Sequence, residues 1–182
     1  MTPLRTAQAI AALVSGAFVS FSAYTSSQTI TIPADATKAL TCLWGGGGGA
    51  KISQGGGGGG GGGVIKYLTS LTPGNTMSLT IGAGGGNSQS GGASSLTSGS
   101  QVISTLTATG GSTGASYAHA PGGNGSGGDI NVAGQSGIPT SHDGNNYNYG
   151  VGGSNAFGMG RGGGDVFAVT GSAGGCMIFW FK

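Results

Sequence analysis

An all-β fold is predicted for this chain: a β-sandwich-like, glycine-rich domain with packed polyglycine segments of polyproline-II type. Three observations predict it. Glycine supplies 45 of the 182 residues, and two unbroken runs, residues 45–49 and 55–63, are bracketed by apolar, β-prone stretches. Apolar residues make up 36% and the net charge is only +2, whereas a disordered chain needs low hydrophobicity and high net charge. No amphipathic helical period appears after residue 15, while alternation of period two recurs. Flexible glycine linkers are mixed with serine and lack large apolar neighbours, so these runs are expected to be packed. A backbone without side-chain bulk lets strands or polyproline-II helices approach closely.

The elements follow in order. Residues 1–24 admit three readings: an attachment or oligomerisation segment, a signal peptide, or a membrane anchor. Arg5 ahead of Ala9-Ile10-Ala11-Ala12-Leu13-Val14 has a signal-like pattern. The apolar stretch is short for a membrane span of about 20 residues and is broken by Ser15, Ser20 and Ser22. Thr2-Pro3 would suit the start of a short helix. From Phe18 the pattern is β. Residues 28–32 place Ile30 and Ile32 on one face, Pro33 stops the strand, and residues 38–44 return after a turn at 34–37. Residues 64–68 and 77–81 read as a hairpin around Thr72-Pro73-Gly74-Asn75. Residues 101–109 and 129–132 are further extended pieces, and residues 176–181 are apolar on both faces, as a strand buried in a core or subunit interface would be. The division expected is an attachment segment over residues 1–27 and a glycine-rich domain over residues 28–182.

Charge excludes several partners. Charged residues are 5% of the chain, with no glutamate, and the acids are Asp35, Asp129, Asp143 and Asp165. Such a surface has little to screen or titrate and suits work outside a cell. The six basic residues are scattered, whereas nucleic-acid binders carry a basic patch, so no nucleic acid is expected. Cys42 and Cys176 each sit in an apolar strand-like run and read as small buried hydrophobes rather than a disulfide.

Taken together, these features resemble the glycine-rich domain of bacteriophage tail fibres and tail-tip adhesins. The resemblance rests on Thr29-Ile30-Thr31-Ile32-Pro33-Ala34, on residues 40–44 running straight into glycine, and on the long glycine run leading into residues 64–68. Pro73-Gly74, Leu79-Thr80-Ile81-Gly82-Ala83-Gly84-Gly85, Gly91-Gly92-Ala93-Ser94-Ser95, Gly128-Asp129-Ile130-Asn131-Val132 and a glycine-led apolar last strand complete it. It covers roughly residues 28–182. It implies a virion tail protein, extracellular and homotrimeric, that contacts the host surface through loops on a rigid glycine core. It also implies attachment to other virion tail proteins, here through residues 1–27. The chain departs from the family in having no fibre shaft and no coiled-coil heptads.

Catalytic and metal motifs fail one by one. The stretch from Gly45 to Ser53 lacks the spacing of a phosphate loop, because Ala50 and Ile52 interrupt it. Residues 124–129 and 160–165 each half-match the calcium-binding nonapeptide but are not tandem, so Asp129 and Asp165 are expected to cap turns. Nothing in the spacing of the four aspartates favours a glycosidase pair. No enzyme activity, cofactor or metal is expected.

One segment concentrates amide and aromatic groups inside a glycine frame: His142, Asn145, Asn146, Tyr147, Asn148 and Tyr149. Tyrosine offers a large flat contact with few rotors, and asparagine adapts its hydrogen bonds, as binding loops require. Tyr117 with His119, and Phe157 with Arg161, are second and third candidates. Their bland alternative is a set of solvated turns and core-capping rings. The receptor expected is a host surface glycan or an outer-membrane protein. A purely structural virion part, such as a tail-tip plug, decoration or cement subunit, is the competing reading.

Overall fold

The computed structural model describes residues 18–51, 56–114, 118–139, 141–143, 146–148, 153–154, 160–163 and 170–182. Its strands are β1 (Phe18–Tyr24), β2 (Gln28–Thr31), β3 (Lys38–Trp44), β4 (Gly63–Leu68), β5 (Thr76–Thr80) and β6 (Ser94–Ser98), followed by β7 (Leu106–Ala108), β8 (Gly125–Ser126), β9 (Ile130–Val132), β10 (Ser141–Asp143), β11 (Asn146–Asn148) and β12 (Gly175–Phe181). Two five-stranded sheets form, in the orders β1-β12-β3-β4-β9 and β2-β5-β6-β7-β8, with β10-β11 as a separate pair. All the pairings are antiparallel.

Alternation within each strand decides which side chains enter the space between the sheets. β12 sends Cys176, Ile178 and Trp180 inward, β3 sends Ala39 and Leu43, and β4 sends Val64 and Leu68. The second sheet answers with Ile30, Met77, Leu79, Leu96, Leu106 and Ala108. The Trp180 indole N–H donates to Ser22 Oγ at 3.1 Å, so its one polar atom is satisfied. The Thr41 hydroxyl, on the same inward row, is buried with no hydrogen-bond partner among the described residues.

Two expectations need correction. The Thr72-Pro73-Gly74-Asn75 turn exists, with Asn75 N–H bonded to Thr72 O at 3.1 Å and Gly74 at φ 82°. It does not close a hairpin, because β4 pairs with β3 and β9 while β5 pairs with β2 and β6. The turn instead docks on the end of β2, where Ile32 N–H reaches Asn75 O and Gly74 N–H reaches Ile32 O. Likewise the turn after Pro33 carries the chain from β2 in one sheet to β3 in the other. Inward Ile30 and Ile32 face inward Ala39 and Leu43 across the core only if the chain crosses over. The last strand does enter the core, through Cys176, Ile178 and Trp180; within the single chain its other face, Met177, Phe179 and Phe181, is half-buried.

At one end of the sandwich the strands run on into glycine. Residues 45–50 continue β3 and residues 56–62 lead into β4, lying side by side through Gly45 N–H to Gly62 O, Gly48 to Gly59 and Lys51 to Gly56. The donors toward this neighbour recur every third residue. So do those from Gly46 and Gly49 to the carbonyls of Gly92 and Gln89, and those from Gly57 and Gly60 to Ile138 and Gln135. A period of three is the signature of the polyproline-II helix, which has no internal hydrogen bonds and must find partners outside itself. Residues 45–50 are thereby bonded to segments 56–62, 82–88, 89–92, 111–114, 160–163 and 171–172, six neighbours around one axis. Residues 56–62 are bonded to 45–51, 109–112, 120–123, 134–138, 153–154 and 160–163.

That arrangement explains the two long glycine runs. A polyproline-II helix in the middle of such a bundle has all three of its faces against backbone. A Cβ placed at any of Gly45–Gly49, or at Gly58–Gly62, would come within 3.0 Å of a neighbouring backbone atom. Peripheral segments keep one face free, and there Ala83, Thr109, Ser112 and Gln135 are accommodated.

Candidate functional site

The two central helices set a direction. Moving along residues 45 to 51, the paired residue falls from Gly62 to Gly56, so Lys51 and Gly56 mark the end farthest from the sheets. Other segments turn at that end too. Asn87 and Ser88 join 82–86 to 89–92, with Ser88 N–H on Ala50 O and Ser88 itself at φ 56°. Gly114 N–H reaches Gly49 O, and Gly57 N–H reaches Ile138 O. Polyglycine rods therefore bring several connections to one apex.

The β10-β11 hairpin lies in the chain between Pro139 and Gly153, whose neighbours Ile138 and Gly153 bond to Gly57 and Gly58. Its antiparallel register sets Ser141 opposite Asn148, His142 opposite Tyr147 and Asp143 opposite Asn146. Only positions 144 and 145 separate the strands, the length of a tight hairpin turn. The region read from sequence as a loop is thus a hairpin holding His142, Asn146, Tyr147 and Asn148 on its two strands.

The other candidates are distributed as follows. His119 is exposed at the same end, its Nδ1 at 3.3 Å from Gly137 O, beside the bridge between Ala120 and Gly137. That contact brings His119 next to the segment that leads into the hairpin. Arg161 is exposed, and its backbone joins the bundle. Its carbonyl accepts from Ser172 N–H at 2.8 Å and from Ser172 Oγ at 3.2 Å. Asn145, Tyr149, Tyr117 and Phe157 lie outside the described residues, as does Asp165 and the segment before Phe18.

Electrostatics elsewhere are structural. Asp129 Oδ1 takes the Lys66 ammonium at 2.5 Å and Oδ2 accepts the Tyr67 N–H at 2.8 Å, which ties the β9 edge to β4. The Lys66 hydrogen bond, then that from Tyr67, hold this carboxyl below its ordinary value. Asp129 thus links two strands rather than capping its own turn, which Asn131 closes by accepting from Gly128 N–H at 3.0 Å and donating to Gly128 O at 3.2 Å. The glycine run's amides are likewise spent on carbonyls rather than open to phosphate. Among the described residues no group of three His, Cys, Asp or Glu could hold a metal ion, and no helix is long and apolar enough to cross a membrane.

The cysteines are both free. β3 and β12 do pair, but Cys42 stands opposite Met177 and Cys176 opposite Leu43, so the two thiols point to opposite faces. Burial first, and the neighbouring Cys42 second, push the Cys176 thiol up to about 12; burial also raises Cys42.

Residues 22–178 match the family model of the glycine-rich domain. The chain belongs to that family. No curated protein matches it. The family match covers both sheets and the glycine bundle, and it begins inside β1.

Proposed function

We propose that this glycine-rich domain protein is a non-enzymatic component of a bacteriophage tail, at the fibre or tip, that binds a host surface receptor. One feature carries the reading: backbone-bonded polyglycine helices bring the chain at Ile138 to the end away from the sandwich, and from there it leads into a short hairpin holding His142, Asn146, Tyr147 and Asn148. The sequence resemblance to tail-tip adhesins supplies the virion context. A site of this composition grips a glycan or outer-membrane protein by stacking and hydrogen bonds, with little dependence on salt. Residues 1–27 attach the protein to other tail proteins, and copies of the chain associate with one another.

The test is saturable binding of labelled full-length protein to intact bacteria and to their isolated envelope fractions. We expect saturation, competition by one fraction, and at least a tenfold loss of affinity in the Tyr147→Ala/Tyr149→Ala variant with its melting temperature unchanged. Unaltered binding by that folded variant removes the role assigned to the hairpin. A second reading, a virion part without receptor contact, is favoured by the apolar outer face of the β1-β12-β3-β4-β9 sheet, and absence of any cell binding selects it.

A further inference from the structure

The two outer faces of the sandwich are unlike each other. On the β2-β5-β6-β7-β8 sheet, outward positions carry hydroxyls: Thr29, Ser78 and Thr97 form one cross-strand row, and Thr80, Ser95 and Thr107 form the next. On the other sheet the outward rows are apolar. Phe21, Phe179, Leu40 and Tyr67 stand side by side across four strands, with the Phe21 and Phe179 ring centroids 4.9 Å apart. The next row runs Met177, Cys42, Ile65 and Ile130. Phe18 closes one corner against Phe181, centroids 6.0 Å apart.

We infer that this apolar face is where a second copy of the chain docks, sheet against sheet. The area fits. Phe18, Phe21 and Tyr67 are 54%, 49% and 46% exposed and Ile130 is 54% exposed. With the half-buried residues between them, the face offers roughly 600 Å² of apolar surface, at the upper limit for a patch left open on a monomer. Two such faces bury about 1,200 Å² in total, the lower bound of a stable protein interface.

The chemistry fits a copy better than a foreign partner. Lys38, at the end of the central strand β3, is the single charged residue on these outward rows among the described residues, so facing copies bring little like charge together. Phe21 and Tyr67 are exposed toward the margins of the face, and Leu40, Cys42 and Met177 between them are half-buried. Sheets packed face to face at about 10 Å and rotated by about 30° interdigitate tall side chains into low ones. The hydroxyl face has no such drive and stays in water.

Cys42 reports directly on whether the face is covered, since it sits mid-row while Cys176 is fully buried in the core. The experiment combines native mass spectrometry of the full-length protein at about 10 µM with the rate of maleimide labelling under native conditions. We expect a mass of two or more chains and slow labelling. Phe21→Asp/Tyr67→Asp should yield a monomer with unchanged far-ultraviolet circular dichroism and at least tenfold faster labelling of one thiol. Ser78→Asp, on the hydroxyl face, should leave mass and labelling as they were. Three results overturn the inference: a wild-type monomer whose Cys42 labels rapidly, a monomer whose Cys42 is protected by its own chain, and an oligomer that survives the double substitution. Should the double variant fail to fold, the wild-type mass and labelling rate still decide. Cell binding is not among the readouts, so the receptor reading and this interface fail separately.

Discussion

In the sandwich, Trp180, Leu96, Met77 and their neighbours hold two sheets together by filling the space between them; in the glycine bundle the same chain continues with no side chains at its centre at all. The sandwich is stabilised by apolar burial, at about 25 cal/mol per Å² removed from water. The bundle has almost no apolar side chain to bury. It relies on close backbone approach and on hydrogen bonds such as Gly48 to Gly59 and Gly163 to Gly48, 2.9 and 2.8 Å. Each such bond contributes only about 1 kcal/mol net, and ordering glycine costs more backbone entropy than ordering any other residue. The difference teaches that the bundle depends on its anchors: β3, β4, β5, β7, β9 and β12 hold the ends of the polyglycine rods in place, and the rods have only to find register.

The sharpest way to break the comparison is a methyl group in the wrong half. Gly48→Ala places a Cβ within 3.0 Å of the Ser112 carbonyl, and that neighbour is backbone that cannot rotate away. We expect a loss of about 4 kcal/mol from overpacking and broken backbone bonds, read as a lower denaturation midpoint. A Gly48→Ala variant as stable as wild type would show that the bundle is looser than its hydrogen bonds require.

A smaller effect separates the halves by pH. Asp129 is held below its ordinary value in the folded state by Lys66 and by the Tyr67 amide. A depressed carboxylate gives stability that is present above its unfolded value, near 3.8, and lost as pH falls through the lower folded value. The melting temperature should therefore decline below about pH 4, and Asp129→Asn should flatten part of that decline. The described residues of the two central glycine helices carry no carboxylate. An identical acid limb in Asp129→Asn would remove the ion pair from the account.

The smallest expected effect is a control for the first. Gly86 lies at the margin of the same bundle, and a Cβ there would meet only the flexible Gln89 amide, at 3.5 Å. Gly86→Ala should be neutral or stabilising by about 0.5 kcal/mol, through the lower entropy of the unfolded chain. A loss comparable with that of Gly48→Ala would mean that packing extends one layer further out than the structure shows.

Much of this was readable in advance. Alternation at Ile30 and Ile32, the apolar runs at 38–44 and 64–68, and the last strand marked their strands because inward and outward neighbours differ in polarity. Other elements left weaker traces. β6 carries a single buried aliphatic, Leu96, among serines and threonine, and β8 is a Gly-Ser pair. Both exist because neighbouring strands hydrogen-bond to them. For the candidate site, the composition of residues 141–149 was visible, but the pairing of His142 with Tyr147 is a matter of register.

The sequence alone determined that the chain is β-rich, that its glycines must be packed rather than loose, and that one segment has the composition of a binding surface. All three follow from local chemistry: side-chain polarity along a strand, the absence of Cβ, and the amide and aromatic content of a short stretch. Only the tertiary structure decided that the turn at Pro73-Gly74 joins two sheets, that residues 45–50 and 56–62 are the axes of the bundle, and that one sheet presents rings outward while the other presents hydroxyls. Those depend on which strand lies beside which. A backbone amide donates equally well to any carbonyl in reach, so nothing local to a glycine run names its neighbours.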